Sequence, residues 1–173
     1  MTEPPRRPDY PTGHGLLAGK TAVITAAAGG GIGLATARRF QEEGARILIS
    51  DAHPRRLAEA ADDLGVDFVP CDVTDESAVV RLWDTALEKL GGVDVMVNNA
   101  GLGGTVDLVD MTDEQWSRVL DVSLTGTFRC TRAALRHMLP RGRGSIINNA
   151  SVLGWRAQKG QAHYAAAKAG VMA

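Results

Sequence analysis

The sequence predicts an α/β fold built on a doubly wound parallel sheet. Three observations carry this. Short, continuously apolar β-rich runs alternate with helical patterns five times along the chain. The connections between them are short. Polar or glycine residues punctuate the end of each run: the glycines after Thr25, then Asp51, Asp72, the stretch from Asn98 to Gly101, and Ala150 with Ser151. In open sheets of this kind, ligands bind outside the carboxyl ends of the strands.

The first apolar run is Lys20 to Thr25. Three alanines and three glycines (Gly29 to Gly31) follow, then Ile32 and Gly33. This reads as a strand, a tight glycine turn and a helix start. Backbone N–H groups and the positive end of a helix dipole meet at such a turn, and a pyrophosphate can approach because no Cβ blocks it. The turn departs from a strict G-x-G-x-x-G, since Thr36 holds the place of the last glycine. No Lys-Ser/Thr pair follows it, which argues against a P-loop.

Helix one spans about Ile32 to Glu43 and ends at Gly44. Strand two is Ala45 to Ser50, with Asp51 at its end. Helix two, Pro54 to Leu64, has proline in its first turn and Gly65 after it. Strand three, Val66 to Pro70, leads into C-D-V-T-D, a polar corner that opens helix three, Asp75 to Leu90. Strand four, Val93 to Val97, runs into N-N-A-G. A loop with Gly103 and Gly104 follows. The capping box Thr112-x-x-Gln115 starts helix four, which extends to about Met138, where Pro140 and R-G-R-G stop it. Strand five is Ser145 to Asn149, and a last helix begins near Gln161. There is no internal repeat.

The chain has 173 residues, enough for one domain with a core. A net charge of -1 leaves no electrostatic footprint for nucleic acid or an anionic membrane. No apolar run reaches the length of a membrane span. Two cysteines, Cys71 and Cys130, make neither a disulfide framework nor a metal cluster, so no metal is expected. They read as reduced thiols, and a cytoplasmic location is expected. Residues 1–15 hold four of the seven prolines and no apolar h-region. They are expected to be a poorly ordered tail and not a signal peptide.

Asp51 lies 18 residues past Gly33, near the spacing at which an acid holds an adenosine ribose. A carboxylate there accepts from both ribose hydroxyls and repels a 2′-phosphate, which favours NAD. Arg55 and Arg56 nearby leave NADP open. Ser151 follows strand five, Tyr164 comes 13 residues later, and Lys168 stands four beyond it. Tyr and Lys at that spacing share a helix face. A neighbouring ammonium favours a phenolate, and a serine hydroxyl can hold a substrate oxygen. The three form an acid/base device for a carbonyl–alcohol pair. His163 points to another face of the same helix and is expected to stand outside the chemistry.

In chain order, TAAAGGGIG, Asp51, CDVTD, NNAG and Ser151 with YAAAK resemble the short-chain dehydrogenase/reductase family over residues 16–173. The resemblance implies a Rossmann-like dinucleotide-binding domain and an NAD(P)-dependent oxidoreductase that interconverts a secondary alcohol and a ketone. It implies that Tyr164 is the catalytic acid/base and that Lys168 binds the nicotinamide ribose and eases loss of the Tyr164 proton. Ser151 would orient the substrate oxygen. Thr25, Gly29, Gly31, Ile32 and Gly33 would form the phosphate turn. Asp72 and Val73 would touch adenine, and Asn99, Ala100 and Gly101 would line the cofactor. A small-molecule substrate and a homo-oligomer are the implied partners.

Three departures stand out. Ala26 follows Thr25 where the family has glycine, in a turn one residue longer. Ser123 in D-V-S-L-T-G takes the place of an asparagine that holds a relay water. Family members also run on past the position of Ala173, so a truncation within the helix of Tyr164 and Lys168 is expected, with an unpaired edge on strand five and a tendency to associate. The longer turn, GHGLL and NNASVLGWRAQ are similar to an actinobacterial subgroup of steroid ring degradation that acts on an indene-carboxyl-CoA. Trp155 and Arg156 would then flank the substrate, with a loop tryptophan packed on helix four as the other reading of Trp155. The alternatives are a nucleotide-binding protein without catalysis, a 3-oxoacyl-type reductase, and a partner-binding module.

Overall fold

The computed structural model describes residues 10–173. Five strands form one parallel sheet: β1 (Thr21–Ile24), β2 (Arg46–Asp51), β3 (Asp67–Pro70), β4 (Val95–Asn98) and β5 (Ser145–Asn148). Their order is β3-β2-β1-β4-β5, so the chain crosses the sheet once, between β3 and β4. The helices are α1 (Ile32–Glu42), α2 (Pro54–Leu64), α3 (Glu76–Leu90), α4 (Asp113–Leu120), α5 (Gly126–Arg141) and α6 (Ala162–Met172).

The two faces follow from the strand period. Val23, Leu48 and Met96 pack on one side with Val79, Leu82 and Trp83 of α3 and Cys130 and Ala134 of α5. Their neighbours Ala22, Ile24, Ile47, Ile49 and Val97 turn to the other side, against Ala37 of α1 and Leu57, Ala61 and Leu64 of α2. Successive side chains of a strand point to opposite faces, so an apolar run can be buried only by helices on both. Each fully buried Leu or Ile contributes roughly 1.5–3 kcal/mol. β3 and β5 are the sheet edges among the described residues, and Ile147 of β5 is 46% exposed.

Most element bounds shift by one residue from the sequence reading, and three places differ by more. The single helix expected from Thr112 to Met138 is α4 and α5, joined by a π-helical turn, Asp121–Thr125. The capping box at Thr112 and Gln115 is present. Pro140 lies inside the last turn of α5, and Gly142, left-handed at φ 63, ends the helix. β4 starts at Val95, two residues later than expected, and just before it the Asp94 N–H bonds to the Thr21 carbonyl at the foot of β1.

The poorly ordered tail expected over residues 1–15 falls, for residues 1–9, outside the described residues. Residues 10–15 carry no helix or strand, but the Glu43 carboxylate accepts the His14 N–H at 2.8 Å and the Leu16 N–H at 3.0 Å. Those two donors, Leu16 first, hold the Glu43 carboxyl below the ordinary glutamate range. Arg39 pairs with the same carboxylate.

Candidate active site

The turn after β1 is shaped by one obligatory glycine and three permissive ones. A Cβ on Gly33 would lie 2.2 Å from the Ala26 carbonyl oxygen and 2.6 Å from Asn99 Nδ2, so helix α1 can approach β1 only through glycine. Gly29, Gly30 and Gly31 are different. None has a positive φ, and a Cβ on any of them would meet nothing within 4 Å. Neither backbone conformation nor packing of this chain asks for glycine there. The vacant space suits a ligand that must approach the backbone closely. Gly31 is the N-cap of α1, with no side-chain cap and no acidic residue in the first turn, so the positive helix end is unmet by the chain itself.

Ala26 sits at φ 52 in the left-handed region, which costs a Cβ-bearing residue about 1–2 kcal/mol. Ala26→Gly relieves that strain and gives back part of it as unfolded-state entropy. A net gain of roughly 1 kcal/mol is expected, read as a rise in the denaturant midpoint. A midpoint that falls would show that the strain is not stored at this residue.

Polar side chains tie the strand ends together. The buried Thr25 hydroxyl accepts the N–H groups of Asn99 at 3.0 Å and Ala100 at 3.1 Å, and donates to the Val97 carbonyl at 3.2 Å. At 2% exposure with all three bonds made, Thr25 has no hydroxyl capacity left for a cofactor and does not line the cleft. Its place among the phosphate-turn residues is therefore corrected: it positions N-N-A-G. Asn99 donates from Nδ2 to the carbonyls of Thr25 and Ala26, at 3.2 and 3.1 Å, and accepts from Asn149 Nδ2 at 2.8 Å. One asparagine thus fastens β1, β4 and β5 at their carboxyl ends.

On one side of Gly101 lies a cleft of about 600 Å³ that contains Asp51, Asp72, Val73, Ala100 and Gly101, with His53, Arg56 and Arg118. Asp51 accepts the Ala28 N–H at 3.1 Å and the His53 N–H at 3.0 Å, which holds its carboxylate at the β2 end beside the glycine turn. Asp72 accepts from the Thr74 N–H and hydroxyl. Cys71 also lines this cleft, but burial pushes its thiol up to about 11, so it is not a nucleophile at neutral pH.

On the other side of Gly101 a second cleft of about 610 Å³ collects Gly31, Ile32, Asn99, Gly101, Ser151, Tyr164 and Lys168. Lys168 is 4% exposed, and its ammonium donates to the Asn149 carbonyl at 2.6 Å. It stands 5.7 Å from the Tyr164 ring centroid, and burial lowers its pKa from the ordinary lysine value. An ammonium has three donors, so two remain for a bound group in the cleft. Ser151 caps a short 3-10 turn, Val152–Gly154, by accepting the Leu153 N–H at 3.2 Å, which leaves its own O–H free to donate.

Gly29 lines neither cleft. Trp155 is 81% exposed, which rules out the reading in which it packs on helix four. Ser123 is buried in the π-helical turn, where its hydroxyl accepts the Leu102 N–H at 2.9 Å and donates to the Leu102 carbonyl at 3.1 Å. A hydroxyl engaged at both ends clamps the loop after β4 beside Gly101. Pattern reading missed His53, Gly103, Gly104, Arg118 and Gln161, which line these clefts. Only the glycine pair carried a visible signal.

Comparisons with known proteins identify the family and the fold. The sequence profile of a family described as short chain dehydrogenase matches residues 20–173. A Mycobacterium tuberculosis protein named (5R,7aS)-5-hydroxy-7a-methyl-1-oxo-2,3,5,6,7,7a-hexahydro-1H-indene-carboxyl-CoA reductase is 60% identical over 169 residues, covering 93% of this chain and 64% of the relative. Cis-4-hydroxycyclohexanecarboxylate dehydrogenase of Sinomonas cyclohexanicum is 42% identical over 165 residues, covering 90% of this chain and 64% of that protein. The chain therefore spans less than two thirds of the length of these curated relatives. The crystal structure of a short chain dehydrogenase from Mycobacterium smegmatis superposes with a TM-score of 0.92 at 57% identity, covering 96% of this chain and 72% of that one. Among the described residues no helix is long and apolar enough to cross a membrane.

Proposed function

This chain belongs to the short chain dehydrogenase family, and from that premise we propose that it serves an NAD(P)-dependent oxidoreductase that interconverts a secondary alcohol and a ketone. The observation that carries the proposal is the convergence of Ser151, Tyr164 and Lys168 with Gly31 and Ile32 on one cleft. The vacant approach to Gly29–Gly31, the open start of α1 and the spare donors of Lys168 fit a dinucleotide. Gly31, Ile32 and Gly33 would hold its phosphates, Asp51 its adenosine ribose, Asp72, Val73 and Ala100 its adenine, and Asn99, Gly101 and Lys168 its nicotinamide half. When bound, the nicotinamide supplies or accepts the hydride.

The chain's own part is proton transfer and orientation. Tyr164 gives its phenolic proton to a ketone oxygen, or takes one from an alcohol. The Lys168 ammonium beside its ring stabilises the phenolate that results. Ser151 donates its hydroxyl to the same substrate oxygen. Ser123 and Asn149 keep the loop and the ammonium in place.

The substrate class we favour is a cyclic ketone or alcohol on an acyl-CoA, after the name of the Mycobacterium tuberculosis relative. A homo-oligomer in the cytoplasm belongs to the same reading, with Cys71 and Cys130 free and buried, as a reducing compartment allows. The test is oxidation of NADH or NADPH by the full-length protein with hydrindanone, a bicyclic mono-ketone, followed by nicotinamide absorbance. A protein that shows no ketone turnover and binds no dinucleotide would sink the proposal.

The preferred dinucleotide is NAD, because the Asp51 carboxylate would repel a 2′-phosphate. Asp51→Ala is expected to move the NADH-to-NADPH ratio of kcat/KM toward NADPH by about tenfold or more, the worth of one charged hydrogen bond. Arg56 in the same cleft would assist the shift. An unchanged ratio would remove Asp51 from the ribose site.

A further inference from the structure

His163 precedes Tyr164 and is 2% exposed. Its Nδ1 accepts the Tyr164 N–H at 2.9 Å. That bond requires an unprotonated Nδ1, so in the neutral ring the proton sits on Nε2 and makes it a donor. No other chain group among the described residues bonds this ring. Nε2 lies beside Gly104, where a Cβ would stand 3.5 Å from it. It lines a pocket of about 320 Å³ with Gly103, Gly104, Gln115 and Arg118. The next glycine, Gly103, lies against the Tyr164 ring, 3.8 Å from where its Cβ would be. Two side-chain-free residues therefore border both the cleft of Tyr164 and the pocket of His163. A buried imidazole with a spare donor beside a cationic guanidinium and an amide is built to receive an oxygen acceptor.

We propose that this pocket is a substrate subsite in which His163 Nε2–H donates to a second carbonyl oxygen of the substrate, remote from the carbon that reacts at Tyr164. This rests on the oxidoreductase reading and narrows it to cyclic substrates that carry two oxygen acceptors. His163 fixes which ring position faces Tyr164, and Arg118 and Gln115 supply a polar wall. The expectation that His163 stands outside proton transfer is kept, and its role becomes specificity.

The test compares hydrindanedione with the mono-ketone hydrindanone on the full-length protein, by calorimetric titration and by steady-state kinetics. Wild type is expected to bind the dione more tightly. His163→Asn retains a near acceptor for the Tyr164 N–H but cannot reach the Nε2 position. It should weaken dione binding and raise its KM by about tenfold, one neutral hydrogen bond, with hydrindanone unaffected. His163→Gln places an amide donor near the Nε2 position and should restore dione binding to within about threefold of wild type. Equal affinity of wild type for the two ketones would overturn the subsite. So would a His163→Asn defect shared by both ketones and confined to kcat, which assigns His163 to helix geometry alone. Dione binding that depends on His163 in a protein without ketone turnover would keep the subsite and sink the oxidoreductase reading instead.

Discussion

Tyr164→Phe in the full-length protein is expected to lower kcat by about a thousandfold, within the range a positioned general acid/base supplies, and to leave dinucleotide affinity within about twofold. The substitution removes one oxygen and keeps the ring. Packing against Gly103 and the Lys168 ammonium over the ring do not depend on the hydroxyl. Lys168 keeps its bond to the Asn149 carbonyl, so the cofactor side of the cleft is unaltered. What is lost is the proton that must travel to or from the substrate oxygen. Because that proton moves in the transition state, the loss falls on kcat more than on KM. Single-turnover absorbance and dinucleotide titration check the two halves separately. Turnover that survives the change would assign the acid/base to another group. A parallel collapse of dinucleotide affinity would show Tyr164 to be a binding residue.

The second large effect separates the glycines of the turn. Gly33→Ala brings a methyl group against the Ala26 carbonyl and the Asn99 amide, the pair that ties the end of β4 to the turn after β1. Both belong to or hold backbone, so neither can swing aside as a flexible side-chain tip would. A loss of about 3 kcal/mol in stability is expected, the upper end of overpacking costs, with dinucleotide binding lost as the turn opens. Gly31→Ala carries the same methyl into open space. It should leave the denaturation midpoint nearly unchanged and weaken dinucleotide binding by about a hundredfold, since the methyl then occupies the approach to the helix N-terminus. Denaturant unfolding and dinucleotide titration of the two variants give the answer. Equal stability losses would make all the glycines structural. Binding unaffected by Gly31→Ala would place the phosphates elsewhere.

Much of the fold was legible in the chain because its signals are local. Apolar runs too continuous to leave one face wet require helices on both, and Val23 against Ala22 and Ile24 shows the two-sided burial that results. The Tyr164 and Lys168 spacing places both on one side of α6 through helix geometry alone. The glycine turn, Asp51, and Ser151 after β5 were equally visible, since each lies where a strand ends.

What tertiary structure decided is the set of partners that only a completed sheet brings together. The order β3-β2-β1-β4-β5 sets β4 beside β1 and β5 beside β4, and only then do Thr25, Asn99, Asn149 and Lys168 form one chain of hydrogen bonds. Thr25 read as a ligand residue, yet its hydroxyl is consumed by Asn99, Ala100 and Val97, residues more than 70 positions away in sequence. The π-helical turn at Ser123 was hidden for a similar reason. Five residues are too few for apolar periodicity to tell one helix pitch from another, and the bonds from Ser123 to Leu102 come from a loop outside the helix. The pocket that His163 lines beside Gly103 and Gly104 was hidden likewise, because a neighbour in sequence says nothing of what surrounds its ring. Local pattern follows from covalent neighbours and strand or helix period. The identity of a hydrogen-bond partner follows from packing, which couples residues whose separation in sequence carries no signal.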